Sequence, residues 1–291
     1  MQAQMDLLIQ LLVRGLLTGC VYALLGVSWG IIYNTTRTFH FAHGLIYTLS
    51  AYVTLMCVQA GLPAWPALLA GLAAAALSGC VIERLGYKPM RAKGASQLTI
   101  FLASMGILIA GQSLIQMLCG PDSRPFSLLG EVTLNLGPVT VTNLDMLGAL
   151  GSLAAMGSLG YFLKRTKAGM MIRAVASNPE KAVFIGLDSN RVFMQVYAIG
   201  SLLMGLASLL TLLERPATTQ IGLGAVLMAF ITVFMGGVGS LLGAALGGFI
   251  LGLVESLVLL FLPTEYKMVV TFAILFLVII IKPEGLLGEK A

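Results

Sequence analysis

The sequence predicts an all-α, polytopic bundle of about nine transmembrane helices, with the N-terminus outside the cell and the C-terminus inside. Three observations lead there. The 291 residues are 58% hydrophobic and only 10% charged, whereas soluble domains carry roughly 25% charged residues. The apolar residues gather in blocks close to the about 20 residues that span a bilayer core as a helix. The basic residues crowd alternate connections between those blocks, as the positive-inside rule requires.

The blocks lie at Leu7–Tyr33, Phe41–Val58, Pro63–Ile82, Leu98–Cys119, Asn143–Leu163, Phe193–Leu213, Gly224–Met235, Leu241–Phe261 and Met268–Ile281. Each is expected to be helical, because lipid offers backbone groups no other partner. The seventh is short enough to be a half-span or to continue into the eighth. The first opens with Asp6 and outruns the apolar core of a cleaved signal, so it is expected to stay as a span.

Orientation follows from the loops. Arg84, Lys88, Arg91 and Lys93 share one connection; Lys164, Arg165, Lys167, Arg173, Lys181 and Arg191 share another two spans later. Placing both inside also puts Arg37, Lys282 and Lys290 inside, so thirteen of the seventeen basic residues face the cytoplasm. Arg14, Arg124, Arg215 and Lys267 remain outside. The outer segment Gly120–Thr142 reads as a loop rich in Pro and Gly, with a strand-like piece at Val139–Thr142, serving as a tether or as a surface for an external partner.

The largest inner loop, about 164–191, is too short for a soluble domain. Residues 1–291 therefore read as one transmembrane domain. No P-loop motif is present, so no nucleotide cofactor is expected on this chain. The net charge of +5 resides in loops and carries no basic–aromatic stripe, which argues against nucleic acid. Cys20, Cys57, Cys80 and Cys119 lie in or beside apolar blocks and read as small buried hydrophobes.

Four features carry a finer signal. In the inner loop, Ser177-Asn-Pro-Glu180 is a helix start, with Ser177 as cap and Glu180 at capping-box spacing. Gly186 is a helix stop. The resulting helix, Ser177–Ile185, is partly apolar; it either docks in a groove of another protein or packs on its own bundle. Gly239, Gly243 and Gly247 follow one small-residue line, and Gly248 and Gly252 extend a neighbouring one through Ser240 and Ala244. Such lines let helices approach closely in lipid, or border a substrate path. Glu255 lies well inside the eighth block, as a path residue or a hydrogen-bonded structural carboxyl. Gln112 and Gln116, one turn apart, line a path or bond a neighbouring helix. His40 and His43 lack an Asp, Glu or Cys to complete a metal shell, so they read as part of a polar inner connection, with no metal site.

Taken together these residues resemble a known family. Arg37-Thr-Phe-His-Phe-Ala-His-Gly-Leu-Ile-Tyr47 with Ala51-Tyr52 looks like the early signature of branched-chain amino-acid ABC importer permeases, the shorter of their two permease subunits. Gly169-Met-Met-Ile-Arg-Ala-Val-Ala-Ser-Asn-Pro-Glu-Lys-Ala182 with Gly186 resembles their coupling segment. Met235-Gly-Gly-Val-Gly-Ser240 with Gly243, Gly247 and Glu255 resembles their late glycine-rich signature, and Lys282-Pro-Glu-Gly-Leu-Leu-Gly288 their tail. The family usually has Asn at the position of His40 and Gly at that of Ser50, and often Pro at that of Leu242.

The resemblance implies an inner-membrane importer of leucine, isoleucine, valine or related amino acids. This chain would pair with a second permease in the lipid bilayer. Two cytoplasmic ATPase subunits would hold ATP-Mg, and a periplasmic binding protein would deliver substrate. Arg173, Ala174, Ser177, Glu180, Ala182 and Gly186 would form the ATPase-coupling element. Gln112, Gln116, Gly239, Gly243, Gly247, Glu255 and His43 would line the path or pack helices. Relatives that import urea or short amides leave the substrate open. A stand-alone secondary transporter would need ion-coupling groups in its spans, and Glu255 is the one candidate. An intramembrane enzyme would need a nucleophile–base or metal constellation, and none is legible.

Overall fold

The computed structural model describes residues 2–126 and 130–288. Met1 and Lys290 lie outside the described residues. Every apolar block becomes helix. The first five are α1 (Gln2–Thr36), α2 (His43–Gln59), α3 (Ala64–Val81), α5 (Gln97–Cys119) and α6 (Asn143–Arg165). The remaining four are α9 (Ser189–Glu214), α10 (Ile221–Gly236), α11 (Leu241–Val258) and α12 (Lys267–Ile281). Short α4 (Lys88–Ala92), α7 (Lys167–Ser177) and α8 (Pro179–Phe184) lie between them. Among the described residues seven helical stretches are long and apolar enough to cross a membrane. The two that fall short are α2, with 17 residues, and α10, with 16. At about 1.5 Å per residue these are shorter than the ~30 Å hydrocarbon core.

The α1–α2 link departs from expectation. Instead of a wet inner turn it is sunk in protein: Thr38, His40, Phe41 and Ala42 are all buried. Arg37 makes the turn in the left-handed region, φ 54°, an uncommon conformation for a residue with a Cβ. The Trp29 indole anchors the link by donating to the His40 carbonyl at 3.2 Å. Irregular backbone at depth is tolerated when enclosed in this way.

The first basic connection also differs. Arg84, Lys88 and Arg91 are not in a loop, because α3 continues through a π-helical turn, Ile82–Tyr87, into α4. The wider turn brings Glu83 fully inside, where Arg91 clamps it with two hydrogen bonds, one of 3.2 Å. Lys93 follows the helix, and Ser96 caps α5 by accepting from the Thr99 amide. In the outer segment, Val139–Thr142 is a strand as expected, paired antiparallel with Thr133–Leu136. Gln10 of α1 holds that hairpin through Thr140, with bonds of 2.8 and 2.6 Å.

The core is organised around α1. Its C-terminal half carries Trp29 and Tyr33, stacked at 4.9 Å, against Phe39, Phe230 and Phe234. Its N-terminal half lies against α11 along a line of small residues, Gly15, Gly19 and Ala23 facing Gly248 and Gly252, with the Tyr22–Glu255 hydrogen bond beside it. A Cβ on Gly248 would meet the Ala23 backbone, and one on Gly252 would come within 2.5 Å of Gly19 Cα. Without a hydrophobic drive between helices in lipid, this close contact is what holds the two together. The chain's tail closes the C-terminal end of α10: Leu286 and Leu287 amides donate to the Met235 and Gly236 carbonyls at 3.0 and 2.8 Å. Those carbonyls, at the end of their helix, have no partner within it.

Candidate functional site

The 164–191 segment forms a helix pair rather than one helix. Thr166 ends α6 and caps α7: its hydroxyl accepts from the Gly169 amide at 3.0 Å. The next helix, α8, is capped by Asn178, whose Oδ1 accepts from the Lys181 amide at 2.8 Å. Ser177 is therefore the last residue of α7 and not a cap. Asn178 wins because its Oδ1 takes the orphan Lys181 amide and Pro179, with no N–H to satisfy, then occupies the first helical position. Glu180 is exposed and does not close a capping box with Ser177. Gly186 stops α8 at φ 82°, the left-handed conformation that favours glycine.

Ala182 is buried and seats α8 on the bundle, while Arg173, Ser177 and Glu180 are exposed and Ala174 is half-buried. Beyond Ala182 the helix presents Val183, Phe184 and Ile185 outward, with Phe184 89% exposed. Three successive apolar residues standing free on a capped helix form a knob with no partner among the described residues.

The expected membrane-depth residues fall in separate places. Glu255 is buried, accepting from the Tyr22 hydroxyl at 2.8 Å and the Thr271 hydroxyl at 3.2 Å. It thus ties α1, α11 and α12 together. Glu255→Gln keeps an acceptor for one hydroxyl and offers an N–H to the other, and should cost no more than about 1 kcal/mol. Glu255→Leu orphans both hydroxyls and should cost about 1–3 kcal/mol, read as a lower thermal midpoint in detergent.

Gln112 and Gln116 are half-buried on α5, with Gln112 Nε2 buried and unpartnered. Gly239 does not continue the glycine line; at φ 97° it turns the chain between α10 and α11, its amide donating to Asn34 Oδ1 at 3.0 Å. Gly243 and Gly247 face the backbone of α10, at Gly236 and Thr232. Two faces of α11 are thus used, one for α10 and one for α1.

His43 and His40 sit at the centre, fully buried, with ring centroids 5.1 Å apart. His43 Nε2 lies 3.2 Å from Ser28 Oγ, and His40 Nδ1 lies 2.8 Å from the Tyr87 hydroxyl. Among the described residues no group of three metal-ligating side chains comes together. Ser50, where the family usually has Gly, joins α2 to α3 by donating to the Gly71 carbonyl at 3.1 Å.

Two cavities flank this centre. One, about 290 Å³, lies among α1, α6, α9 and α10, with Asp145, Glu214 and Arg215 beside a mixed lining of apolar side chains and the hydroxyl-bearing Tyr22, Tyr47, Ser208 and Thr211. In the sequence Arg215 counts only as an outer charge and Glu214 carries no signal of its own; the Glu214-Arg215 pair at the end of an apolar block is the one pointer to this cavity. The other, about 380 Å³, is lined by Phe39, Phe41, Gln97, Leu98, Phe101 and Phe230. On α10, Met228 faces the first and Phe230 the second. On α1, buried Leu25 closes the first and Trp29, one turn on, meets Phe230 at 5.9 Å. The cavities approach from the two ends of the bundle and are separated by packed side chains.

Comparison with known proteins gives the same direction. The chain matches the model of the family described as branched-chain amino acid transport system / permease component over residues 11–279. It is 29% identical to the high-affinity branched-chain amino acid transport system permease protein LivH of Escherichia coli K12, covering 99% of this chain and 98% of that protein. It is 28% identical to BraD of Pseudomonas aeruginosa, covering 97% and 96%. The fructose import permease protein FruG of Bifidobacterium longum is 29% identical over 78% of this chain and 69% of its own. Among solved structures, a chain of PsaBC from Streptococcus pneumoniae in complex with Fab shares the fold at a TM-score of 0.51, with 16% identity, covering 92% of this chain and 90% of that one. A match spanning nearly every helix of the bundle, from α1 to α12, places the chain in the family of branched-chain amino-acid transport system permease components.

Proposed function

We propose that this chain is one membrane-spanning subunit of an ATP-driven importer of branched-chain or related amino acids, resident in the bacterial inner membrane. Residues 1–291 act as a single permease domain of nine crossings, N-terminus out and C-terminus in, with 164–191 as the cytoplasmic coupling loop. The observation that carries the reading is the free Val183-Phe184-Ile185 knob on capped α8. A solvent-facing phenylalanine on a rigid helix at the basic, inner face suits a groove on an ATPase.

Two ATPase subunits hold ATP-Mg, a second related permease completes the membrane unit, and a periplasmic binding protein supplies substrate. Arg173, Ala174, Ser177, Glu180, Ala182 and Gly186 belong to the coupling element through α7 and α8. ATP binding closes the ATPase pair, the helix pair moves with it, and the closure between the two cavities shifts. Gln112, Gln116, His43, Gly239, Gly243, Gly247 and Glu255 serve helix packing or the path; the paired oxygens of Glu255 favour packing. That pairing also weakens the reading as an ion-coupled secondary transporter. The seat of Ser50 and the site of His40 are compatible with a substrate other than leucine, including a urea or short-amide type.

Purification of the tagged chain from its native membrane in mild detergent tests this reading. A P-loop ATPase should co-elute, together with a second permease. An active chain that elutes without either would overturn it.

A further inference from the structure

We infer that the cavity among α1, α6, α9 and α10 is a low-affinity binding site for a free amino-acid zwitterion with an apolar side chain. The inference rests on the importer reading above and gives that path its outer substrate site. Three features support it. First, the charges are mixed and adjacent: Glu214 and Arg215 end α9, and Asp145 begins α6 beside them, all three lining one cavity. The ion pairs among the described residues are Arg91–Glu83 and Arg191–Asp188, so neither Glu214 nor Arg215 is in direct ion-pair contact there. Asp145 uses one oxygen on the Thr142 amide at 3.0 Å, which leaves the other for a ligand.

Second, the charged groups are confined to the mouth, while the deeper wall mixes apolar side chains with the uncharged Tyr47 and Ser208. Glu214 and Arg215 are exposed at the mouth, whereas Leu25, Leu212 and Ala225 below them are buried. From Leu17 to Leu25 the α1 wall descends roughly 12 Å at 1.5 Å per residue. Third, the volume of about 290 Å³ suits one small molecule and not a peptide. An arginine fork takes a carboxylate through two parallel hydrogen bonds. Glu214 and Asp145 take the ammonium, and an isobutyl or isopropyl group points towards Val21, Ala225 and Met228. A net-neutral ligand carrying both charges satisfies the mouth without burying an unpaired ion.

The test is saturation-transfer NMR on the intact membrane complex in nanodiscs, without any soluble binding protein. The probes are L-leucine, 3-methylbutylamine (which lacks the carboxylate) and 4-methylpentanoate (which lacks the ammonium). L-Leucine should give methyl signals at least about tenfold above either analogue, as expected for losing a charge-assisted pair. Arg215→Gln should reduce the L-leucine signal to that of the amine, and Arg215→Lys should restore part of it. Ala225→Leu, which fills the floor and keeps the charges, should also abolish the signal. Equal signals from all three probes, or an L-leucine signal unchanged in Arg215→Gln, would overturn the site. Loss of uptake in Arg215→Gln with unchanged L-leucine signals would overturn it too, and would reassign the arginine to contact with another protein. Failure of the importer reading appears separately, as a complex that contains no ATPase.

Discussion

Phe184→Asp should nearly abolish ATP-driven uptake while leaving the protein inserted and folded. The side chain is 89% exposed at the end of α8, so the bundle loses no packing when it changes. The groove that receives it loses an aromatic anchor and gains a buried charge. Truncating such an anchor typically costs about 2–4 kcal/mol, or roughly 30- to 1,000-fold in affinity. The measurement is ATPase recovered with the tagged variant at equal membrane yield. Full recovery would remove Phe184 from the interface. Asn178→Ala probes the same element through its fold: loss of the cap costs about 1 kcal/mol of helix stability, so recovery should fall less than with Phe184→Asp.

The second large effect is expected inside the membrane. Gly248→Leu drives a side chain into the backbone of α1 at Ala23, which cannot rotate away. Overpacking a well-packed site costs about 1–3 kcal/mol, and more when the obstacle is main chain. The variant should accumulate poorly and lose several degrees of thermal midpoint in detergent, at roughly 2–4 °C per kcal/mol for a chain of this size. Gly157→Leu is the matched control. Gly157 has open space around it on α6, so the same substitution there should be near neutral. Equal behaviour of the two would mean that α1 and α11 are not held by close backbone approach.

The contrast between those glycines shows what the sequence could and could not reveal. The apolar blocks all became helix, because only helix satisfies the backbone in lipid, though among the described residues α2 and α10 are shorter than a full span. Small-residue spacing marked α11 as a packing helix. Spacing could not say that Gly243 and Gly247 serve α10 while Gly248 and Gly252 serve α1, nor that Gly239 is a turn. Those depend on which neighbours arrive from elsewhere in the chain.

Charge misled in two places for one reason. Lys88 and Arg91 read as loop residues, yet the π-helical turn lets Arg91 neutralise Glu83 inside a continuous helix. Lys167 and Arg173 likewise read as loop but lie on α7, which is apolar on its other side at Ile172 and Val175. In the candidate site, the helix stop at Gly186 was legible from glycine's freedom at positive φ. The cap was shifted by one residue because Ser177 and Asn178 are both good caps, and only the bend between α7 and α8 decides between them. The cavity beside Glu214 and Arg215 was illegible, since Asp145 and Glu214-Arg215 are distant in sequence and meet only when α6 packs beside α9.

The most direct test of the central claim is uptake of radiolabelled L-leucine, isoleucine and valine by proteoliposomes holding the co-purified complex. ATP should be enclosed with the ATPase face and the periplasmic binding protein supplied on the opposite side. Accumulation above the external concentration that requires hydrolysable ATP, and that is lost with Phe184→Asp, is the expected result. Accumulation that proceeds without ATP, driven by an ion gradient, would contradict it.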